Sequence, residues 1–226
     1  MKIHIYYRHY NIQGTDNRNR PSWFDYEKCY HNLVSSLKGG ADNFRLNVVY
    51  DGNEPNWIKR TNHDSLTEIQ SGGDFKSFQQ TCEIVKNDSL VLDGDLVYFL
   101  ENDYMHVNGW LDKATSLFMT YEGLDYVSLY DHNDKYFLPM YDGLTSKIFT
   151  TPTHHWKSTP STCGSFIMTK ERFNEDYDIL STMEGDHNKW LWLNKHRSRS
   201  VITPIPGLST HCVEGLLSPT IKWDKI

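Results

Sequence analysis

Four short apolar stretches of strand character, residues 3–7, 44–50, 96–100 and 126–130, alternate along the first half of this chain with segments of helical periodicity. The connections between them are short. A β-α-β-α-β-α-β order of this kind predicts parallel strands covered by helices, hence an α/β sheet. Ligands of such sheets bind beyond the carboxyl ends of the strands. By that rule Tyr7-Arg8, Asp51 and Glu101-Asn102-Asp103 are expected to open onto one crevice, although they are far apart in sequence.

The helices follow from spacing and caps. Pro21-Ser22 opens a helix with Trp23, Tyr26, Tyr30, Leu33, Val34 and Leu37 on its apolar positions, and Gly39-Gly40 stops it. Residues 54–73 are polar, with one helical turn and a short strand at 66–69. Asp74 is expected to cap a helix over 75–86, and Asn108 another over 109–121. The second half is less regular. Residues 131–160, rich in Tyr, Thr, His and Pro, read as irregular strands and loops. A strand at 165–169, a helix at 170–182, a helix at 186–196 after Gly185 and a strand at 200–203 follow, and 204–226 reads as largely extended. Trp190 and Leu193 are assigned to the core. No repeat or linker divides the chain, so one domain is expected.

Composition narrows the possible partners. A hydrophobic content of 38% with 14% aromatics suffices for a real core. The net charge of -6, without a basic run, argues against nucleic acid and anionic membranes. Cys29, Cys82, Cys163 and Cys212 are scattered, without the close pairs of a zinc site, which suggests reduced thiols and a cytoplasmic, soluble protein. No apolar signal region and no membrane span is expected.

The strand at 96–100 runs into Glu101-Asn102-Asp103. Residues i and i+2 of an extended segment point the same way, so Glu101 and Asp103 are expected to aim two carboxylates together at the strand's exit. Such a pair suits a hard divalent cation held against a phosphate.

These landmarks, in this order, resemble the GT-A fold of nucleotide-sugar glycosyltransferases, particularly the inverting family 2 type. Val48-Val49-Tyr50-Asp51-Gly52-Asn53 is similar to that family's acidic strand end, and Asp95-Leu-Val-Tyr-Phe-Leu-Glu-Asn-Asp103 to its apolar strand followed by DxD, with Glu101 in place of the first Asp. Thr162-Cys163-Gly164-Ser165-Phe166 resembles the small-residue stretch bordering sugar and acceptor. Glu184-Gly185-Asp186-His187 stands where such enzymes carry their catalytic acid motif, and Ser209-Thr-His211-Cys-Val-Glu-Gly215 resembles their C-terminal histidine segment. The resemblance implies a GT-A-type, Rossmann-like, mostly parallel sheet flanked by helices, with a nucleotide-binding half (1–106) and an irregular acceptor-side half with its tail (107–226).

The resemblance further implies a glycosyltransferase of the hexosyltransferase type that moves a sugar from a nucleoside diphosphate, UDP-sugar by preference, to an acceptor hydroxyl. Mn2+ or Mg2+ is expected on Asp103, Glu101 and His211. Tyr7, Arg8, Asp51, Glu101 and Asn102 are expected to bind the nucleotide. Asp186, with Glu184 as understudy, is the expected base for inversion, worth roughly 10²–10⁴-fold. Gly164 and Ser165 are expected to border the substrate, and Trp156, Tyr136 and Tyr141 to stack on sugar rings. His154-His155 and Asp131-His132-Asn133-Asp134 fit no metal-site spacing and are given structural or acceptor-facing roles. The alternatives are a retaining GT-A enzyme, a metal-dependent phosphohydrolase, a nucleotidyltransferase and a carbohydrate-binding module.

Overall fold

The computed structural model describes residues 1–10, 16–37, 43–52 and 56–226. The helix stop expected at Gly39-Gly40 and the expected turn residue Asn53 lie outside the described residues. In chain order the elements are β1 (Ile3–Tyr10), α1 (Tyr26–Ser36), β2 (Phe44–Asp51), β3 (Ser65–Ile69), α2 (Asp74–Asn87), β4 (Leu96–Glu101), β5 (Tyr104–His106) and α3 (Trp110–Thr120). The remainder are β6 (Tyr126–Val127), β7 (Ile148–Thr151), β8 (His154–Thr159), β9 (Phe166–Thr169), α4 (Lys170–Thr182), α5 (Asp186–Arg197), β10 (Val201–Ile205) and β11 (Ser209–His211).

A central sheet runs in the order β3-β2-β1-β4-β9-β6-β10-β8-β7. All but β8 and β9 point in one direction, because β9 pairs antiparallel with β4 and β6, and β8 antiparallel with β10 and β7. The α/β class and the mostly parallel sheet flanked by helices are therefore as expected. The chain steps outward from β1 to β2 and β3, then returns to β4 on the other side of β1. That reversal leaves a crevice at the carboxyl ends of β1 and β4, the switch point where open α/β sheets take ligands. Register sets Arg8 beside Glu101 across β1 and β4, and Tyr10 beside Asp51 across β1 and β2.

Strand alternation divides the core. Ile3, Ile5 and Tyr7 of β1, with Leu96, Tyr98 and Leu100 of β4, pack under α1 and α3 through Tyr30, Leu33, Trp110 and Leu117. Tyr6, Val97 and Phe99 face the other way, against Phe78, Cys82 and Val85 of α2, Phe173 and Leu180 of α4, and Trp190 and Leu193 of α5. A second, two-stranded sheet pairs β5 with β11 antiparallel and aligns Tyr104 with His211.

Three helix starts differ from expectation. α1 begins only at Tyr26, because extended Asp25 caps it by accepting the Lys28 N–H at 2.9 Å. Pro21 to Phe24 forms a turn instead, with the Phe24 N–H on the Pro21 carbonyl. α2 includes Asp74 rather than being capped by it, which frees that carboxylate for Arg8. Gly109, in the left-handed region at φ 76, replaces Asn108 as the α3 cap. The strand expected at 126–130 keeps only Tyr126–Val127, and the irregular stretch at 131–160 contains a hairpin, β7–β8, that extends the sheet. The tail adds only the short strand β11 before a final helical turn at Trp223–Lys225.

Candidate active site

Two adjoining cavities occupy the crevice. One, of about 450 Å³, is lined by Tyr10, Arg18, Asp51, Asn102 and Asp103. The other, of about 470 Å³, is lined by Gly164, Glu184, Asp186 and Lys189. Arg8, Asp74 and Glu101 line both and form the wall between them.

Arg8 belongs to the Tyr6 side of β1, and this parity aims it into the crevice. Its Nη2 donates to Glu101 Oε1 at 3.1 Å and its Nη1 to Asp74 Oδ1 at 3.1 Å. Burial raises the pKa of the Glu101 carboxyl; Arg8 opposes that rise and the nearby Asp103 adds to it. The Ser165 hydroxyl donates to Glu101 Oε2 at 3.4 Å and accepts the Glu101 N–H at 3.1 Å. Gly164 permits this packing: a Cβ there would meet Arg8 Nη2 at 3.0 Å and the Glu101 carboxyl at 3.1 Å. The small residues at 164 and 165 thus fit around an ion pair.

Asp103 lies past the end of β4, where strand alternation no longer applies, and it takes partners of its own. Its Oδ2 accepts from Arg18 Nη1 at 2.8 Å and Arg20 Nη2 at 2.9 Å, and lies 3.0 Å from His211 Nε2. The β5–β11 pairing delivers His211: the Cys212 N–H donates to the Asp103 carbonyl at 2.9 Å, and the imidazole stacks on Tyr104 at 5.1 Å. Burial by itself would raise the Asp103 pKa, but His211 and the two guanidiniums outweigh it and hold the carboxyl below the usual range. For His211 burial lowers the pKa, and Asp103 more than offsets it.

The residues at Asp103 fit a divalent cation in part. Asp103 Oδ1 is buried and has no hydrogen-bond partner among the described residues, and the imidazole beside Oδ2 is a second donor. Among the described residues no group of three or more His, Cys, Asp or Glu side chains is arranged to hold a metal. Two protein donors suit an ion that completes its shell with phosphate oxygens and water, as Mg2+ commonly does. Glu101, expected as a further ligand, turns its carboxylate to Arg8 and Ser165.

Asp51 ends β2 and lines the same cavity as Asp103, accepting the Ser71 N–H at 3.0 Å and the Ser71 hydroxyl. Asn102 is buried, with its amide 3.3 Å from His9 Nδ1. Tyr7 does not face the ligand space. It lies on the α1 side of β1, fully buried, and donates to the Asn102 carbonyl at 3.3 Å, so it shapes the loop from beneath. Trp156, expected to stack on a sugar, does not face the crevice either: it is 0% exposed in the α1/α3 core and is closed to a sugar. Tyr136 is exposed and donates to Asp131 at 2.7 Å, and Tyr141 lies under Lys135.

Across the wall, Asp186 opens α5 behind Gly185, whose φ of 85 favours glycine. Lys189 Nζ lies 3.6 Å from its carboxylate and 4.5 Å from the centre of the Phe78 ring. Burial raises the Asp186 pKa, against the pull of Lys189 and Arg8. Glu184 lines the same cavity. Sequence reading missed Lys189, Arg18 and Arg20. A polar loop gives no periodic signal, so the NRNR run at 17–20 reads as solvated charge.

No family model and no curated protein matches the chain. Solved structures do. Residues 1–349 of TarS from S. aureus superpose with a TM-score of 0.50 at 16% identity, over 90% of this chain and 58% of that one. A protein of Desulfovibrio desulfuricans G20 provisionally named a nucleotide-diphospho-sugar transferase gives 0.51 at 10% identity, over 90% and 80%. CMP:2-keto-3-deoxy-manno-octonic acid synthetase, complexed with CTP, gives 0.54 at 11% identity, over 92% of each chain. The chain therefore has a GT-A-like fold. It spans little more than half the length of the TarS fragment.

Proposed function

We propose that this chain is a glycosyltransferase that moves a sugar from a nucleoside diphosphate, preferably UDP, to an acceptor hydroxyl with inversion. One observation carries the reading. Asp51 and Asp103, the latter paired with His211, line one cavity at the sheet's switch point, and Asp186 lines the cavity next to it across the Arg8–Glu101 wall. A donor laid along the crevice would put its base toward Asp51, its diphosphate toward Asp103 and its sugar near Gly164 and Ser165.

Asp103 and His211 would hold Mn2+ or Mg2+, which when bound supplies positive charge to the departing diphosphate. An imidazole in the donor set tilts the choice to manganese. Asp51 has lone pairs beyond those that Ser71 occupies and can accept an N–H of the base. Arg8 and Ser165 fix Glu101 and so keep the wall between donor and acceptor in place. As the acceptor oxygen attacks the anomeric carbon, Asp186 takes its proton and the nucleoside diphosphate leaves with the bonding electrons. Attack opposite the leaving group inverts the configuration.

The test is a thermal-shift and calorimetric titration of UDP with and without Mn2+. The expected result is binding that needs the ion, is lost in Asp103→Asn, and persists in an Asp186→Asn variant with kcat down by about 10²–10⁴-fold. The substitution at 103 is to Asn because Ala would remove the polar partner that Arg18 and Arg20 share, whereas Asn keeps an acceptor oxygen there. Cation-independent binding, or retention at the product's anomeric centre by NMR, would overturn the assignment. A second reading, nucleotidyl transfer, is favoured by Arg18 and Arg20, since guanidiniums after the first strand suit a triphosphate. Pyrophosphate release from a nucleoside triphosphate and a sugar phosphate would distinguish it.

A further inference from the structure

Arg18 and Arg20 both contact Asp103, but they are held differently. Arg20 is enclosed. It is 10% exposed, donates to the Cys212 carbonyl at 2.7 Å and to Asp16 Oδ2 at 2.8 Å, and lies over the Phe24 ring at 4.4 Å. Arg18 is 45% exposed and lines the nucleotide-side cavity. Besides Asp103, it reaches Asp16 Oδ1 at 3.1 Å and the Tyr26 hydroxyl at 3.1 Å.

The donors on Asp103 are unevenly shared. Oδ2 serves Arg18, Arg20 and His211, whereas buried Oδ1 serves none among the described residues. A carboxylate oxygen offers about two lone-pair sites, so a third donor on Oδ2 is oversubscribed. Asp103 with its two arginines already has its charge covered. A divalent cation arriving there meets two guanidiniums, and like charges a few ångströms apart repel. The donor that can leave is the one with an open side, Arg18.

We propose that Arg18 has two alternating partners: Asp103 when no cation is bound, and the diphosphate of the donor once a cation has taken Asp103. The inference rests on the nucleotide reading of the crevice. Leaving Asp103 costs Arg18 an ion pair, and the planar guanidinium then meets a phosphate it can grip with two parallel N–H bonds. The guanidinium therefore competes with the cation when the nucleotide is absent and supports the loaded complex when it is present. Arg20, locked by its other contacts, stays with Asp103 in both states.

The competition predicts opposite signs for two affinities of one variant. In Arg18→Ala, Mn2+ alone should bind several-fold more tightly, read by the free-ion electron paramagnetic resonance signal. UDP in saturating Mn2+ should bind about 10-fold more weakly or worse, read by calorimetry, as expected for one lost charge-assisted bond. Arg18→Lys keeps the charge and loses the fork, so its Mn2+ affinity should stay near wild type while UDP binding is only partly restored. Thermal melts of both variants check that they are folded. A wild type that binds no UDP in the presence of Mn2+ overturns both the nucleotide reading and the second role of Arg18. If the wild type binds it and Arg18→Ala matches wild type in either titration, this proposal alone is overturned.

Discussion

At the scale of single residues, the crevice is a problem in placing like charges. Arg8, Lys189, Glu101 and Asp186 line one cavity, and their mutual distances decide which carboxylate is free to take a proton. Glu101 is occupied by Arg8 and Ser165, whereas Asp186 has Lys189 at 3.6 Å and open space in front of it. Burial raises the Asp186 pKa, and Lys189 and Arg8 restrain the rise. The proton acceptor must be ionised, so activity should be lost as pH falls through that raised pKa. Removing a cation that favours the ionised form raises the pKa further. The acid limb of a kcat/KM profile is therefore expected to move to higher pH in Lys189→Met, with the melting temperature as a control for folding. An unmoved limb would assign the limb to a group other than Asp186. The place of Asp186 at a helix start was legible after Gly185, but the approach of Lys189 to its carboxylate was not. A lysine three residues into a helix reads as solvated charge until the fold lays it across Phe78.

At the scale of elements, alternation was the most informative signal, and it was read correctly only where the strand persists. The parity of β1 sends Arg8 into the crevice and Tyr7 into the core, a distinction that the joint expectation for Tyr7-Arg8 did not make. The parity of β4 covers Glu101 but stops before Asp103, so the expected convergence of two carboxylates gives way to separate ion pairs. Trp156 illustrates the same limit. A short strand among Thr and His residues gives no hint that β8 pairs on both sides, between β10 and the edge strand β7, and a tryptophan in an apparently irregular segment reads as a sugar platform. Trp156→Phe should lower stability through the cavity it leaves, by about 1–3 kcal/mol, and leave the acceptor KM unchanged. Caps were poorly legible: α1 was expected to open at Pro21-Ser22, whereas Asp25 makes the capping bond, and neither Asp74 nor Asn108 caps its helix. Asp25 satisfies the Lys28 N–H, so Asp25→Ala should cost about 0.5–2 kcal/mol in urea unfolding, with no change in UDP affinity.

At the scale of the whole molecule, the expected division into a nucleotide half (1–106) and an acceptor half (107–226) is crossed by the sheet itself. β4 takes its second neighbour from the acceptor half, β9, with Leu96 opposite Thr169 and Phe99 opposite Phe166. β5 finds its partner only in β11, more than a hundred residues later. The apolar face of β1 and β4 opposite α1 and α3 is closed by α2 from one half and by α4 and α5 from the other. Neither half therefore encloses its own core. A fragment ending at residue 106 would leave the inner edge of β4 without a neighbour, an invitation to pair with other chains, and would lose Phe166, Phe173 and Trp190 from the packing around Phe78 and Phe99. The intact chain is expected to unfold in one cooperative transition by circular dichroism and tryptophan fluorescence. The 1–106 fragment is expected to aggregate or to melt without a sigmoidal transition. A fragment that melts cooperatively and binds UDP would make the nucleotide half a domain in its own right. In that event His211 would not be needed for the nucleotide, since β11 is the element that brings it to Asp103.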